Sequence, residues 1–436
     1  MLATRIQNWL RRQNSAIFSL YAIVAAFCTY SCMYAFRKPF AVATFSGLQF
    51  AGVDYKVWLI TAQVLGYTLS KFVGIKIVSE MKNGSRAVSI LVLIGFAALS
   101  LLGFALVPAP YNIACLFLNG LPLGMIWGLV FSYLEGRKMT EALGAGLSVS
   151  FIFSSGMVKA VGKYLIVNWG ISEYWMPLVA GMVFFMPLLL FVWLLDRLPP
   201  PTPEDNRLRT KREPMNSSQR RKFFKTFAPG LIFLIITYMA LTAYRDFRDN
   251  FAAEIWKSLG YGSSSKVFIM TEIPIAIAVL VIMGSLMVIR SNSRALWVNH
   301  ILILAGILIV GLSTLLFEQH LISAPVWMTL VGLGLYMGYV PFNSILFDRM
   351  IATFHYVSNV GFLIYLADSF GYLASVGILF YKEFGHPDMK WLDFFISMGY
   401  ILTVSGSVTM VASWIYFHKK ESMANYRSLN HHLAGA

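Results

Sequence analysis

The chain has 436 residues, 58% of them hydrophobic and 13% charged, with a mean hydropathy of +0.66. Soluble globular domains carry about 25% charged residues, so this composition excludes a soluble enzyme and points to an integral membrane protein. The formal charge of +15 is concentrated at the ends of apolar runs. It therefore reports topology and contact with anionic lipid rather than nucleic acid.

Apolar runs of about 20 residues, the length needed to cross a bilayer as helix, recur along the whole chain. The first covers 15–45 and is kinked at Pro39. It is preceded by Arg5, Arg11 and Arg12, and it is too long and too continuous for a cleaved signal peptide. The next five cover 57–78, 87–107, 111–134, 143–167 and 174–195. The only long polar stretch, 196–222, holds Pro199, Pro200, Pro201 and Pro203 and then a basic run from Arg207 to Lys222. Six more spans cover 227–244, 266–289, 296–317, 326–347, 357–381 and 392–417. The fold class expected is an all-α membrane protein of twelve helices in two pseudo-symmetric six-helix bundles. The bundles cover 1–195 and 223–436, and residues 196–222 link them.

Basic residues sit on alternate loops: Lys82 and Arg86, Arg137 and Lys138, Arg290 and Arg294, Arg349, then Lys419, Lys420 and Arg427. Residues 108–110 and 318–324 carry no Lys or Arg. The positive-inside rule then makes both termini and the linker cytoplasmic, in a plasma or bacterial-type inner membrane. The three cysteines, Cys28, Cys32 and Cys115, lie inside spans and read as small packing residues. The seven histidines form no metal-ligand pattern and there is no phosphate-binding Gly-x-x-x-x-Gly-Lys-Ser/Thr loop. Neither a cofactor, a metal nor ATP-driven chemistry is expected.

The informative residues are charges at membrane depth, each costly by about 3 kcal/mol or more and usually placed in a protein-lined cavity. Arg37 and Lys38 lie in Tyr34-Ala35-Phe36-Arg37-Lys38-Pro39-Phe40, with uncharged sequence from Ser15 to Phe36 before them. Lys71 lies mid-span between Gly66 and Gly74, and Lys159 lies one turn before Lys163. Arg245 and Arg248 follow the seventh span, in company with Asp246 and Asp249. Phe247-Arg248-Asp249-Asn250-Phe251 echoes Phe36-Arg37-Lys38-Pro39-Phe40 in the first. Glu272 lies early in the eighth span, and Asp368 lies deep in the eleventh, where it either caps a Gly-broken helix or counters a cavity cation. Tyr30, Tyr34, Tyr67, Tyr336 and Tyr365 can offer hydroxyls to a cargo. A cation-lined cavity implies an anionic solute.

At these residues the chain resembles the major facilitator superfamily, and within it the organophosphate:phosphate antiporter branch. The resemblance rests on Tyr34-x-x-Arg37-Lys38-x-Phe40 in the first span and Ser70-Lys71-Phe72 in the second. It rests also on Arg245 near the end of the seventh span and on Glu272 before Pro274 in the eighth. It implies that Arg37 and Arg245 grip a phosphate while Lys38 and Lys71 add positive potential. An acid near the start of the eighth span and an arginine near the end of the seventh lead to the expectation that Glu272 pairs with a cavity cation, Arg245 foremost, when cargo is absent. The chain departs from that pattern where the branch has a fifth-span histidine: Ser154 stands nearest, with Lys159 and Lys163 close by.

The expectation is a secondary transporter of a small organic phosphate, exchanged for inorganic phosphate and working as a monomer in the lipid bilayer. Exchange would follow if the empty cationic site resisted reorientation because its repulsion was unrelieved. A proton-coupled carboxylate carrier and a transporter-like sugar-phosphate sensor remain as alternatives. The topology is directly testable. A cysteine replacing Ser217 is expected to resist an impermeant thiol reagent added outside intact cells, and labelling from outside would overturn the assignment.

Overall fold

The computed structural model describes residues 2–80, 85–134, 137, 140–201, 217–286, 288–354 and 360–434. Nearly all of it is helix. A short amphipathic helix (Leu2–Arg11) leads into twelve spans. The first six are Ser15–Tyr34, Tyr55–Glu80, Arg86–Leu106, Ile113–Leu123 continued by Ile126–Phe131, Thr140–Trp169, and Met176–Val183 continued by Phe185–Leu195. The last six are Ser217–Asn250, Val267–Met270 continued by Glu272–Leu286, Asn292–Glu318, Ala324–Ser344, Val360–Phe380 and Trp391–Ala434. Among the described residues, nine spans are long and apolar enough to cross a bilayer by themselves, and the bent sixth pair makes a tenth. The second and eleventh complete the twelve. Most of the expected linker, 202–216, lies outside the described residues.

Both termini lie at one end of the bundle, since an even number of spans separates them. Lys420 of the twelfth span accordingly reaches the Thr226 carbonyl near the start of the seventh. The opposite, distal end carries a two-stranded hairpin, Gln49–Phe50 against Val53–Asp54.

Proline sets the breaks. It lacks an N–H and its ring crowds the carbonyl four residues earlier. Pro187 therefore ends the first piece of the sixth span near Val183, where the axis bends by 46°. Pro274 does the same near Met270, so the eighth span stops and restarts at Glu272. The first span ends at Tyr34, and Pro39 opens a 3-10 turn over Pro39–Val42.

Three span boundaries depart from expectation. The first span does not continue kinked to Phe45, so Arg37 and Lys38 lie in a turn beyond its end rather than on a helix. The seventh runs unbroken to Asn250, which puts Arg248 and Asp249 on the helix rather than after it. The twelfth continues to Ala434, far past 417. In each case local backbone hydrogen bonding, which hydropathy does not report, decides where the helix stops.

Helices in lipid gain by close packing, and small residues let backbones approach. The second and fourth spans cross with a Cβ on Gly120 placed only 2.2 Å from the Gln63 carbonyl oxygen. Gly120→Ala is therefore expected to destabilise the protein by about 1–3 kcal/mol, read by thermal denaturation in detergent. Gly95, which faces open space, should accept alanine within about 0.5 kcal/mol. Equal stability of the two variants would contradict this crossing.

Candidate functional site

A helix end leaves carbonyls without partners. The turn after Tyr34 meets this need with buried amides from neighbouring spans. Gln63 Nε2 donates to the Arg37 carbonyl at 3.1 Å and to Asn119 Oδ1 at 2.8 Å. Asn119 Nδ2 donates to the carbonyls of Phe36 at 3.0 Å and Ala97 at 3.1 Å. The turn is thus clamped by the second, third and fourth spans, and its two basic side chains leave from a fixed backbone.

Arg37 is 7% exposed, and its guanidinium lies 3.7 Å from the centroid of the Tyr67 ring. Among the described residues it has no carboxylate partner, and its Nε has no acceptor. Lys71 lies over the same ring at 5.4 Å. That lysine is paired with Asp368 at 2.5 Å, whose other oxygen accepts from the Tyr238 hydroxyl. Arg245 stacks on Tyr339 at 4.0 Å and pairs with its neighbour Asp246 at 2.7 Å. Tyr34 is buried and its carbonyl accepts from the Arg37 N–H at 3.0 Å, while Tyr339 stacks at 5.2 Å on Tyr238, the ring that reaches Asp368. Arg37, Arg245, Lys71, Tyr34, Tyr67 and Asp368 therefore gather in one buried region.

Lys38 and Lys159 are drawn to a different place. Both bind the Asp249 carboxylate, Lys159 at 2.5 Å, and Ser155 donates to it as well. Lys38 also donates to Asn250 Oδ1 at 3.0 Å. Ser154, nearest to the position of the expected histidine, bonds instead to Ser31 at 2.6 Å and ties the fifth span to the first.

The partner of Glu272 differs from expectation. Glu272 does not meet Arg245; it pairs with Arg248 at 2.7 Å, and Arg248 also donates to the Met328 carbonyl at 3.1 Å. The reason is space. A Cβ on Gly156 would lie 2.6 Å from Glu272 Cγ, and one on Gly332 would lie 2.8 Å from an Arg248 nitrogen. Two glycines on neighbouring spans leave the niches that this acid and this arginine fill.

Other members were missed from sequence. Lys56, read there as loop, is 1% exposed and pairs with Glu254 at 2.6 Å. Asp249 was read only as a neighbour of its arginines. Tyr372 and Tyr339 complete the aromatic walls, with Tyr372 at 5.3 Å from Tyr67. Lys163 shares a helix face with Lys159 but is half-exposed and does not reach Asp249. The Tyr365 side chain lies outside the described residues.

Two features of the whole emerge. Among the described residues, Arg37, Lys38, Lys56, Lys71, Lys159, Arg245 and Arg248 face the carboxylates of Asp246, Asp249, Glu254, Glu272 and Asp368, seven cations to five acids, while Lys382 pairs separately with Glu383. The acids relieve most of the repulsion that was expected to hold the empty site in place. Secondly, the pairs made by Lys38, Lys159, Lys56 and Lys71 all join the first six spans to the last six. Three lie toward the distal end. Lys71 is 15 residues further along its helix than Lys56, about 22 Å of rise. Among the described residues no ion pair joins the two sets closer to the terminal end.

The profile of a family of unknown function, DUF5690, matches residues 39–420. No curated protein matches the chain in sequence. The chain is similar to the crystal structure of a D-xylose–proton symporter, at 13% identity and a TM-score of 0.61, over 92% of this chain and 98% of that one. It is also similar to a crystal structure of a point mutant of the nucleoside transporter NupG, at 13% identity and a TM-score of 0.60, over 92% and 99%. At that identity the likeness shows the fold, which is the major facilitator fold.

Removing one partner of a buried ion pair typically costs about 3–5 kcal/mol. Glu272→Gln and Arg248→Gln should each destabilise the protein, and their effects should be strongly non-additive in a double-mutant cycle. Glu272→Gln combined with Arg245→Gln should be close to additive. Thermal denaturation in detergent reads both cycles, and the reverse pattern would restore Arg245 as the partner.

Proposed function

The chain belongs to DUF5690, and we propose that it is a secondary transporter that carries a small organic phosphate by alternating access. The observation that carries the reading is Arg37. It is buried in the membrane-spanning bundle, stacked on Tyr67, and has no carboxylate within ion-pair distance among the described residues. A charge so placed calls for a counter-ion, and an anionic cargo supplies one.

The chemistry favours phosphate over a monocarboxylate. A phosphate monoester carries close to two negative charges at neutral pH, and Arg37, Lys71 and Arg245 supply cations in the region where it would bind. The guanidinium is a planar fork suited to bidentate binding of phosphate oxygens, and tyrosine hydroxyls nearby can donate to the remaining oxygens. Inorganic phosphate offers the same oxygens in a smaller body. Both structural neighbours are transporters by name. The major facilitator plan binds solute between its halves near the bilayer midplane, the region where Arg37, Lys71 and Arg245 gather.

Alternating access needs a gate on each side. The bonds of Lys38 and Lys159 to Asp249, and of Lys56 to Glu254, tie the two sets of spans at the distal end. This arrangement is a closed distal gate. With both termini cytoplasmic, as the positive-inside rule places them, the closed gate faces outward.

Arg37→Lys keeps the charge and removes the fork. Inorganic phosphate and glycerol phosphate are expected to raise the melting temperature of the purified parent, because a ligand of the folded state stabilises it. In Arg37→Lys their affinity should fall about tenfold, a loss of about 1.4 kcal/mol. Parent-like affinity in that variant would return Arg37 to a structural role.

A further inference from the structure

We propose that Asp368 is the counter-charge that lets the empty protein change conformation, so that the protein moves its anion net, without a returning anion. The inference rests on the transport reading above and concerns its coupling.

Arg37 and Lys71 lie over one ring, that of Tyr67, at 3.7 and 5.4 Å. Lys71 also lies 5.6 Å from the Tyr372 ring. Two cations thus occupy one aromatic pocket, and Asp368 is the carboxylate that serves it, at 2.5 Å from Lys71. The acid is held in place rather than hanging free. Tyr238 donates to its second oxygen, and Asn343 Nδ2 donates to that hydroxyl at 3.1 Å. Both side chains of the pair are buried, at 12% and 4% exposure.

With Asp368 ionised, the empty pocket carries one uncompensated positive charge, on Arg37. Without Asp368 it carries two. Moving the two sets of spans past one another with both charges unpaired in low dielectric is unfavourable. A bound phosphate dianion leaves the pocket at −1 with the acid and neutral without it, within one charge of neutral either way. Asp368 therefore matters for the empty transit and little for the loaded one. The obligate exchange expected from an unrelieved site gives way to net flux, because this chain carries its own anion for the return.

The test uses the full chain in liposomes with radiolabelled inorganic phosphate. Valinomycin and equal potassium on both sides clamp the potential. Efflux into phosphate-free medium reads the empty return, and efflux into unlabelled phosphate reads exchange. The parent should show both. In Asp368→Asn exchange should remain within about threefold, while net efflux falls tenfold or more and half-saturation moves to lower phosphate. Lys71→Gln added to Asp368→Asn should restore net efflux relative to the single variant, because the lysine left without a partner is gone. A purely structural role would not be rescued in that way.

A parent that only exchanges would overturn the inference and leave the transport reading intact. So would Asp368→Asn losing both fluxes or neither, or a double variant that stays as impaired as the single one. A parent that moves no phosphate in either mode, and is not stabilised by it, removes the transport reading itself and the coupling inference with it.

Discussion

An ionised side chain inside a bilayer must find a partner or leave, and the rest of this structure is arranged around that constraint. Lys56, Lys71, Lys159, Arg245 and Arg248 each meet a carboxylate on the seventh to eleventh spans or in the segment between the seventh and eighth. The acids come from the second half of the chain, and most of the basic partners come from the first. Electrostatic pairing thereby fixes how the two sets of spans meet, beyond what apolar packing between helices can specify. Asp249, shared between Lys38 and Lys159, is the densest of these contacts.

Backbone breaks put the charges where they can pair. The turn after Tyr34 frees Arg37 and Lys38 from helical geometry, under which adjacent side chains would diverge by about 100°. Arg37 turns to the Tyr67 ring while Lys38 turns to Asp249. The break before Pro274 sets Glu272 at the start of a new helical segment, facing the glycine niche at Gly156. Irregular backbone at membrane depth is tolerated where it is buried in protein, and here the amides of Gln63 and Asn119 satisfy it.

The same arrangement accounts for a site that holds a surplus of positive charge without disintegrating. Tyrosine faces partly offset cations that lack an acid, since the ring quadrupole attracts them; Arg37 on Tyr67 is the clearest case. The acids take the remainder. What is left uncompensated is small enough for the fold to carry.

Much of this was legible in the amino-acid sequence. Composition and the recurrence of apolar runs determined a twelve-span helical membrane protein, because hydrocarbon admits little else. The rarity of charge inside those runs marked Arg37, Lys38, Lys71, Lys159, Glu272 and Asp368 as buried and in need of partners. Pro39 marked a kink in the first span, which in the structure is an end at Tyr34, and the breaks before Pro187 and Pro274 were not anticipated. Sequence could not decide which charge meets which. Arg245 and Arg248 lie on one helix less than a turn apart, and the choice between them for Glu272 depended on niches left by Gly156 and Gly332 on other spans. Lys56 looked like a loop residue until the segment carrying Glu254 folded over it. Pairing across about 200–300 residues of chain is a property of how helices pack, and only the tertiary structure decided it.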